Sequence, residues 1–177
     1  MEKYLYRLFI ALFAITSFSL SSCSEDDDEP NNNATGSSFT VNGLPYSEHP
    51  TTGASCKCVN YTTNGPTCIQ GELYPAGTNE FELYPHININ IVVERIDPST
   101  LNDGYTLNLE NGSDIEYLTD VMQGTDYNQY VDGKITFQGY TNGRATFYFD
   151  NVKYAERDNE SNVITLDGTM SCEYMSI

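Results

Sequence analysis

The side chains of this chain most able to do chemistry are its cysteines, because a thiol can form a disulfide, bind a metal ion or accept a lipid. Five are present in 177 residues: Cys23, Cys56, Cys58, Cys68 and Cys172. If Cys23 has a role of its own, the other four are an even number, which predicts disulfides in an exported domain. A bridge from Cys172 to the segment 56–68 would close a loop of roughly 110 residues and stabilise the fold by about 4–5 kcal/mol. We therefore predict at least one bridge between Cys172 and that segment.

Local geometry makes the other pairings of these cysteines less favourable. If the segment 63–66 (Thr-Asn-Gly-Pro) closes a simple hairpin, Cys68 lies on the opposite face from Cys56 and Cys58, and a bridge between Cys56 and Cys58 would be strained. Two alternatives stay open: a zinc site that combines these cysteines with a histidine, and free buried thiols. The Cys-x-Cys spacing does not lead into a standard zinc pattern, so no metal is expected.

The two histidines, His49 and His86, are the next candidates for chemistry. Neither accompanies a Gly-x-Ser-x-Gly nucleophile elbow, and a lone histidine is most often a surface or capping residue. Paired carboxylates could hydrolyse a glycosidic bond, but 19 acidic residues between 39 and 177 produce such pairs by chance. The stretch 97–114 could hold a surface Ca²⁺ ion, although solvated turns are the simpler interpretation. The sequence therefore predicts no enzyme, no catalytic residue and no cofactor.

Tyrosines are frequent in the C-terminal half, and three of them are candidate contact residues: Tyr140, Tyr148 and Tyr154. Tyrosine offers a flat, amphipathic surface for sugars and proteins. By strand alternation Tyr148 and Tyr154 lie on the face opposite Phe147 and Phe149, which predicts that both are exposed. Cross-strand pairing on a solvent face is the favoured interpretation of such tyrosines, and ligand binding is the alternative. The three are the predicted binding residues.

The elements that must position these residues are predicted to be β-strands. Seven Asn-Gly or Asp-Gly pairs are typical of tight hairpin turns. They lie at 42–43, 64–65, 103–104, 111–112, 132–133, 142–143 and 167–168. Apolar and polar residues alternate between them, as in 87–93 and 145–149, and the best short-helix candidate, 115–122, could also be a strand. We predict an all-β fold, an antiparallel meander of about eight or nine strands with little helix, with a β-sandwich favoured over a lipocalin-like barrel.

The N-terminal segment differs sharply from this domain. Two basic residues precede an apolar run, 8–20, which is shorter than the roughly 20 residues of a membrane-spanning helix. Residues 1–22 are therefore predicted to be a cleaved signal peptide. Residues 23–38 are acidic and then rich in Asn, Ser and Gly, which predicts a flexible tether. Residues 39–177 are predicted to form a single β domain.

The end of the signal peptide, 20–23 (Leu-Ser-Ser-Cys), resembles a bacterial lipobox. The following tract, 24–29 (Ser-Glu-Asp-Asp-Asp-Glu), resembles the surface-export signal of Bacteroidota lipoproteins. This resemblance implies that Cys23 is acylated and becomes the first residue of the mature protein, with the lipid bilayer as the partner of its acyl anchor. It also implies an outer-membrane protein exposed at the cell surface. Anchoring that faces the periplasm and an ordinary secretory signal are the alternatives.

A second resemblance lies in the strands of the domain. The stretches 133–152 and 164–169 are similar to the closing strands of small uncharacterised β domains in Bacteroidota lipoproteins. This resemblance implies a fold and a location, and it carries no functional residue.

The net charge of the domain restricts the classes of partner that it can bind. Residues 39–177 contain 19 acidic and 6 basic side chains, a formal charge of −13. Nucleic acid is disfavoured as a partner, because phosphate binding needs a basic surface. The expected function is that of a binding, adhesion or nutrient-capture accessory module for a glycan or a surface protein, without catalysis. A small-molecule carrier or inhibitor and an enzyme of unrecognised type are the alternatives.

Overall fold

Nine strands make up the regular secondary structure of residues 38–49, 56–79 and 81–176, the part of the chain that the structure, a computed structural model, describes. They are β1 (Phe39–Val41), β2 (Leu44–Glu48), β3 (Lys57–Asn60), β4 (Thr67–Pro75), β5 (His86–Val93), β6 (Asp114–Asp120), β7 (Gln123–Thr141), β8 (Arg144–Glu156) and β9 (Asn159–Ser176). No helix occurs within these ranges. The prediction of an all-β fold with eight or nine strands is confirmed, and the helix candidate 115–122 belongs to β6 and the turn that follows it.

The strands form one sheet in the order β1-β2-β4-β3-β9-β8-β7-β6-β5. Two further pairings, β4 with β5 and β1 with β9, join strands that are distant in this order. The sheet therefore folds over on itself and encloses a core with its inner face, which gives the sandwich-like architecture that the sequence favours. One pairing between described strands, β3 with β9, is parallel. Side-chain alternation has the same period in parallel and antiparallel strands, so it could not have predicted this pairing.

The core follows the predicted alternation. Every second residue of β5 from Ile87 to Val93 is buried. Phe39 meets Phe149 with ring centroids 5.3 Å apart, and Phe137 meets Phe147 at 6.0 Å, in both cases edge to face. Such aromatic pairs contribute about 0.5–1.5 kcal/mol each beyond the burial of their surface. The Phe39–Phe149 contact thus joins two strands that lie far apart in the sequence, and the Phe137–Phe147 contact joins the neighbouring strands β7 and β8.

Five of the seven Asn-Gly and Asp-Gly pairs lie in turns, as predicted, but two lie inside long strands. Gly133 in β7 and Gly168 in β9 have positive φ angles of 98° and 106°. A Cβ atom at Gly168 would lie 2.0 Å from the carbonyl oxygen of Ser38. Glycine at this position therefore lets the start of β1 approach β9 closely. The turns predicted at 132–133 and 167–168 are wrong, because these glycines serve close backbone contact and not chain reversal.

The predicted exposure of Tyr154 is also wrong, because a β-bulge interrupts β8. From Phe149 to Val152, β8 advances three residues while β9 advances two. The extra residue, near Asn151 with its positive φ of 49°, shifts the alternation by one. Tyr154 consequently faces the core and is 1% exposed. Tyr148, which precedes the bulge, stays half-buried on the outer face.

Residues 1–37 lie outside the described residues. The signal peptide 1–22, the lipid attachment at Cys23 and all but the last residue of the tether 23–38 fall there, and they stay predictions. Where the structure does describe the chain, none of it forms a helix long and apolar enough to cross a membrane.

Candidate functional site

A tight hairpin builds one wall of the candidate site. Asn42 and Gly43 have φ angles of 50° and 78°, as in the two-residue turns that match the twist of paired strands. The side-chain oxygen of Asn42 accepts a hydrogen bond from the backbone N–H of Thr165 at 2.9 Å, and the Asn42 N–H donates to the Thr165 carbonyl at 2.8 Å. These two bonds fix the β1–β2 hairpin against β9. The Asn-Gly pair predicted this turn correctly.

A pocket of about 170 Å³ lies beside the hairpin. Its lining residues are Val41, Asn42, Leu44, Tyr46, Tyr117, Tyr127 and Ile164. None of these side chains carries a formal charge, and the pocket reaches solvent beside Leu44, which is 64% exposed. Sites for drug-sized ligands usually enclose about 300 Å³ or more. This pocket therefore fits a single ring or the end of a chain.

Three tyrosines give the pocket its chemistry. The side chains of Tyr46 and Tyr117 are hydrogen-bonded to each other, and burial, followed by the influence of this neighbour, raises the pKa of Tyr46 to about 12. The Tyr127 hydroxyl donates to Oδ1 of Asn162 at 3.5 Å, and burial raises the pKa of Tyr127 as well. Tyr46 and Tyr127 therefore stay protonated at neutral pH. The pocket offers hydroxyl groups next to apolar ring faces.

The loops at this end of the sheet expose apolar side chains. Tyr46 pairs with Pro75 and His86 pairs with Leu118, so the β1–β2, β4–β5 and β6–β7 connections lie at one end, which we call the pocket end. Five large apolar side chains there are more than half exposed: Leu44, Phe81, Leu83, Val121 and Met122. Met122 is 93% exposed. Large apolar groups gathered at one end of a domain indicate a contact surface.

The structure does not bring together the three tyrosines that the sequence predicted as binding residues. Tyr154 lies in the core, where its ring meets that of Tyr130 at 5.8 Å. Tyr148 is half-buried on the outer face of β8. Tyr140 packs edge-on against Tyr174 at 6.0 Å, near the β7–β8 turn. Tyr140 and Tyr154 make local ring contacts, and the three tyrosines form no common site.

Sequence reasoning missed the tyrosines that do meet, Tyr46, Tyr117 and Tyr127. Tyr117 and Tyr127 meet across the local β6–β7 hairpin, and only the long-range folding of the sheet brings Tyr46 of β2 to them. One usable signal was present: the Asn-Gly turn at 42–43 places Tyr46 on a hairpin next to the core. A second signal, the alternation that turns Tyr117 towards the pocket, was missed because 115–122 was the best candidate for a short helix.

The four described cysteines are free thiols, so the predicted disulfide from Cys172 is not formed. Lys57 in β3 lies opposite Glu173 in β9, and the preceding residues, Cys56 and Cys172, are therefore neighbours. Their thiols are hydrogen-bonded, and burial, followed by this bond, holds the pKa of Cys172 well above its usual value. Burial also raises the pKa of Cys58 to about 12. Protonated thiols of this kind react slowly.

We call Cys56, Cys58 and Cys172 the thiol seam, because they lie where β3 runs beside β9. All three are at most 1% exposed. Next to the seam, Oε1 of Glu48 accepts hydrogen bonds from the Cys56 N–H at 3.0 Å and from Nη2 of Arg144 at 3.4 Å. These contacts indicate that the three thiols serve to pack the interior of the domain.

Cys68 lies outside the seam, on the opposite face from Cys58, as the sequence predicted. It pairs with Val59 in the β3–β4 ladder, and Cys58 pairs with Ile69. The connection 61–66 is longer than the simple hairpin that was expected. Cys68 is half-buried, and burial raises the pKa of its thiol.

The two histidines are buried, contrary to the expectation that they are surface or capping residues. His49 and His86 both pack on the ring of Tyr74, with centroid distances of 4.6 Å and 5.3 Å. Nε2 of His86 lies 3.8 Å from Oε1 of Glu72, and its Nδ1 lies 2.7 Å from the carbonyl oxygen of Leu83. The Tyr74 hydroxyl donates to Glu72; burial, followed by this bond, raises the pKa of Tyr74. The cluster fastens the β4–β5 connection to β4.

Within 38–49, 56–79 and 81–176, no three His, Cys, Asp or Glu side chains gather as ligands for a metal ion. Comparison with known proteins adds no identification, since no family model, curated protein or solved structure matches the chain.

Proposed function

We propose that this protein is a surface-exposed outer-membrane lipoprotein, anchored through Cys23, whose β domain is a binding module for a glycan or a surface protein. The apolar run 8–20, the lipobox-like 20–23 and the acidic tract 24–29 support this location, because they follow one another in the order of an export signal. Several acyl chains on one residue hold a protein firmly, since each buried methylene adds about 0.8 kcal/mol.

The pocket end is the observation that carries the binding function. It combines an uncharged tyrosine pocket with apolar side chains left in water, of which Phe81 is 87% exposed. The outer face of the sheet is different: there, polar side chains satisfy each other, as Gln70 and Asn90 do at 3.1 Å. Exposed apolar surface costs free energy unless a partner covers it. The pocket end is therefore the best candidate for the contact surface.

The location is tested by labelling and protease treatment of cells that express the full chain. An alkyne-bearing fatty acid should label the wild type and not the Cys23→Ala variant. Protease added to intact cells should remove the domain, and replacing the acidic residues 25–29 by Asn and Gln should protect it. Label on Cys23→Ala would contradict the anchor, and protection of the wild type would contradict surface exposure.

The binding function is tested with the purified full chain on arrays of glycans and of surface proteins. Tyr117→Ala and the double variant Val121→Ser/Met122→Ser should lose the interaction. Val131→Ser is the matched control, because Val131 is 52% exposed but belongs to the middle of β7. Surface substitutions should change stability by no more than about 0.5 kcal/mol. Binding that survives both pocket-end changes, or no binding at all, would contradict the proposal.

A further inference from the structure

We infer that the pocket binds the uncharged ring of a terminal sugar residue, a neutral hexose at the end of a glycan chain. This inference names the ligand of the proposed binding function and rests on that function.

The size and the walls of the pocket favour one sugar ring. A volume of about 170 Å³ leaves room for a single six-membered ring. A hexose has a face of C–H groups and a rim of hydroxyls, and the C–H face packs well on the apolar face of an aromatic ring. Tyr46, Tyr117 and Tyr127 supply three such rings around one small space.

The charge of the pocket favours a neutral sugar. No lining residue is charged, so an acidic sugar would lose its hydration without gaining a cationic partner. The domain has a formal charge of −13, which adds a repulsive field for any anion. A cationic ligand would find no carboxylate among the lining side chains. Uncharged ligands are therefore selected.

The polar atoms of the pocket favour a sugar over a hydrocarbon ring. The Tyr127 hydroxyl donates to Asn162 and one of the Tyr46 and Tyr117 hydroxyls donates to the other, so these groups offer a ligand oxygen lone pairs that accept and one remaining O–H donor. Oδ1 of Asn42 is engaged by Thr165, so the Nδ2 amide is the donor that Asn42 offers to a ligand. A purely apolar ring would cover these groups without replacing their water, which costs free energy. A sugar replaces that water with its own hydroxyls.

The mouth of the pocket favours the end of a chain over its middle. A second ring does not fit in the pocket, and the exposed side chain of Leu44 borders the opening. The remainder of a glycan would leave the pocket past Leu44 and extend over the exposed apolar side chains of the pocket end.

The test is a titration of the purified full chain, followed by NMR, with methyl glycosides of glucose, galactose and mannose in both anomeric forms. Methyl glucuronide and cyclohexanol serve as the charged and the apolar comparison. At least one neutral glycoside should bind, and Tyr117→Ala should weaken its affinity by about tenfold. Tyr140→Ala is the matched control and should leave the affinity unchanged.

Three results would overturn this inference: no binding by any neutral glycoside, binding of methyl glucuronide or cyclohexanol as tight as that of the best neutral glycoside, or an affinity that Tyr117→Ala does not change. Failure here is distinguishable from failure of the proposed function. If the glycosides fail but Tyr117→Ala still abolishes capture of a surface protein on the array, the sugar is wrong and the binding module stands. If the pocket-end variants affect neither, both are wrong.

Discussion

The pocket and the thiol seam are the two regions where side chains able to do chemistry come together, and they differ in access. In the seam, Cys56, Cys58 and Cys172 are at most 1% exposed. In the pocket, Tyr46 and Tyr127 are buried but Tyr117 is only half-buried, and the lining residue Leu44 is 64% exposed to solvent. By residue type alone, the cysteines would be the stronger candidates for a functional site. Access to solvent makes the tyrosines of the pocket the stronger candidates.

The difference also shows how each region uses its hydrogen bonds. The Cys172 thiol is hydrogen-bonded to the neighbouring Cys56 thiol, so both partners of this hydrogen bond lie inside the protein. Tyr46 and Tyr117 are likewise bonded to each other, but they stand beside a space that a ligand can enter. We therefore expect changes in the seam to affect stability and changes in the pocket to affect binding.

The largest expected effect is that of a charge placed in the seam. Cys172→Asp should lower the free energy of unfolding by about 3 kcal/mol or more, because a carboxylate there has to be buried or neutralised. Leu44→Asp should change it by less than about 1 kcal/mol, because Leu44 is exposed, yet it should weaken binding at the pocket. Urea unfolding measures the stability of both variants. A Cys172→Asp variant as stable as Leu44→Asp would show that the seam is not closed.

The next effect concerns thiol reactivity. In a Cys23→Ser background at pH 8, Cys68 should react with an aromatic disulfide reagent first, and the three seam thiols should react at least about 100-fold more slowly. In guanidinium without reductant, all four should react. Cys68→Ser is the control that removes the fast phase. A count of two thiols after unfolding would show a bridge and contradict the free thiols seen here.

A smaller effect is expected from the pocket at high pH. The pKa of Tyr46 is raised to about 12 in the folded state, whereas a tyrosine in an unfolded chain titrates near 10. The unfolded state loses its proton first, so this contribution to stability is complete below pH 10 and is lost as the pH rises from 10 to 12. Tyr46→Phe should reduce the fall of stability between pH 9 and 11. An unchanged pH profile in Tyr46→Phe would contradict the burial of this hydroxyl.

The smallest effect compares two turns of the same kind. Asn42 and Asn142 have φ angles of 50° and 52°, each followed by a glycine with positive φ. Replacing either by alanine should cost about 1 kcal/mol, because alanine is less favourable at positive φ. Asn42→Ala should also weaken sugar binding, since Asn42 fixes the pocket wall, whereas Asn142→Ala should not. Equal effects of the two substitutions on binding would show that the β1–β2 hairpin does not shape the pocket.

Local patterns in the sequence predicted local structure well. The alternation of Ile87 to Val93 predicted the core face of β5, and the Asn-Gly pair at 42–43 predicted its turn. The opposite placement of Cys58 and Cys68 followed from the period of two, although the connecting loop is longer than expected. These features depend on neighbouring residues, which a sequence shows directly.

What the sequence could not predict depends on contacts between distant segments. The bulge near Asn151 turns Tyr154 inwards, and nothing in the flanking alternation announces the extra residue. The parallel pairing of β3 with β9 places Cys56 beside Cys172, and alternation is the same for either strand direction. The pocket joins Tyr46 to Tyr117 through pairings across the whole sheet, so its residues could not be grouped before the fold was known.

The central claim, that the pocket end is the binding surface, is tested most directly by NMR of the full chain with ¹³C-labelled tyrosine rings. The probe is the neutral methyl hexoside that binds most tightly. The signals of Tyr46, Tyr117 and Tyr127 should shift together along one saturation curve, and that of Tyr74, which packs against His49 and His86, should stay in place. Shifts confined to Tyr140 and Tyr148, or no shift at the three pocket tyrosines, would contradict the account.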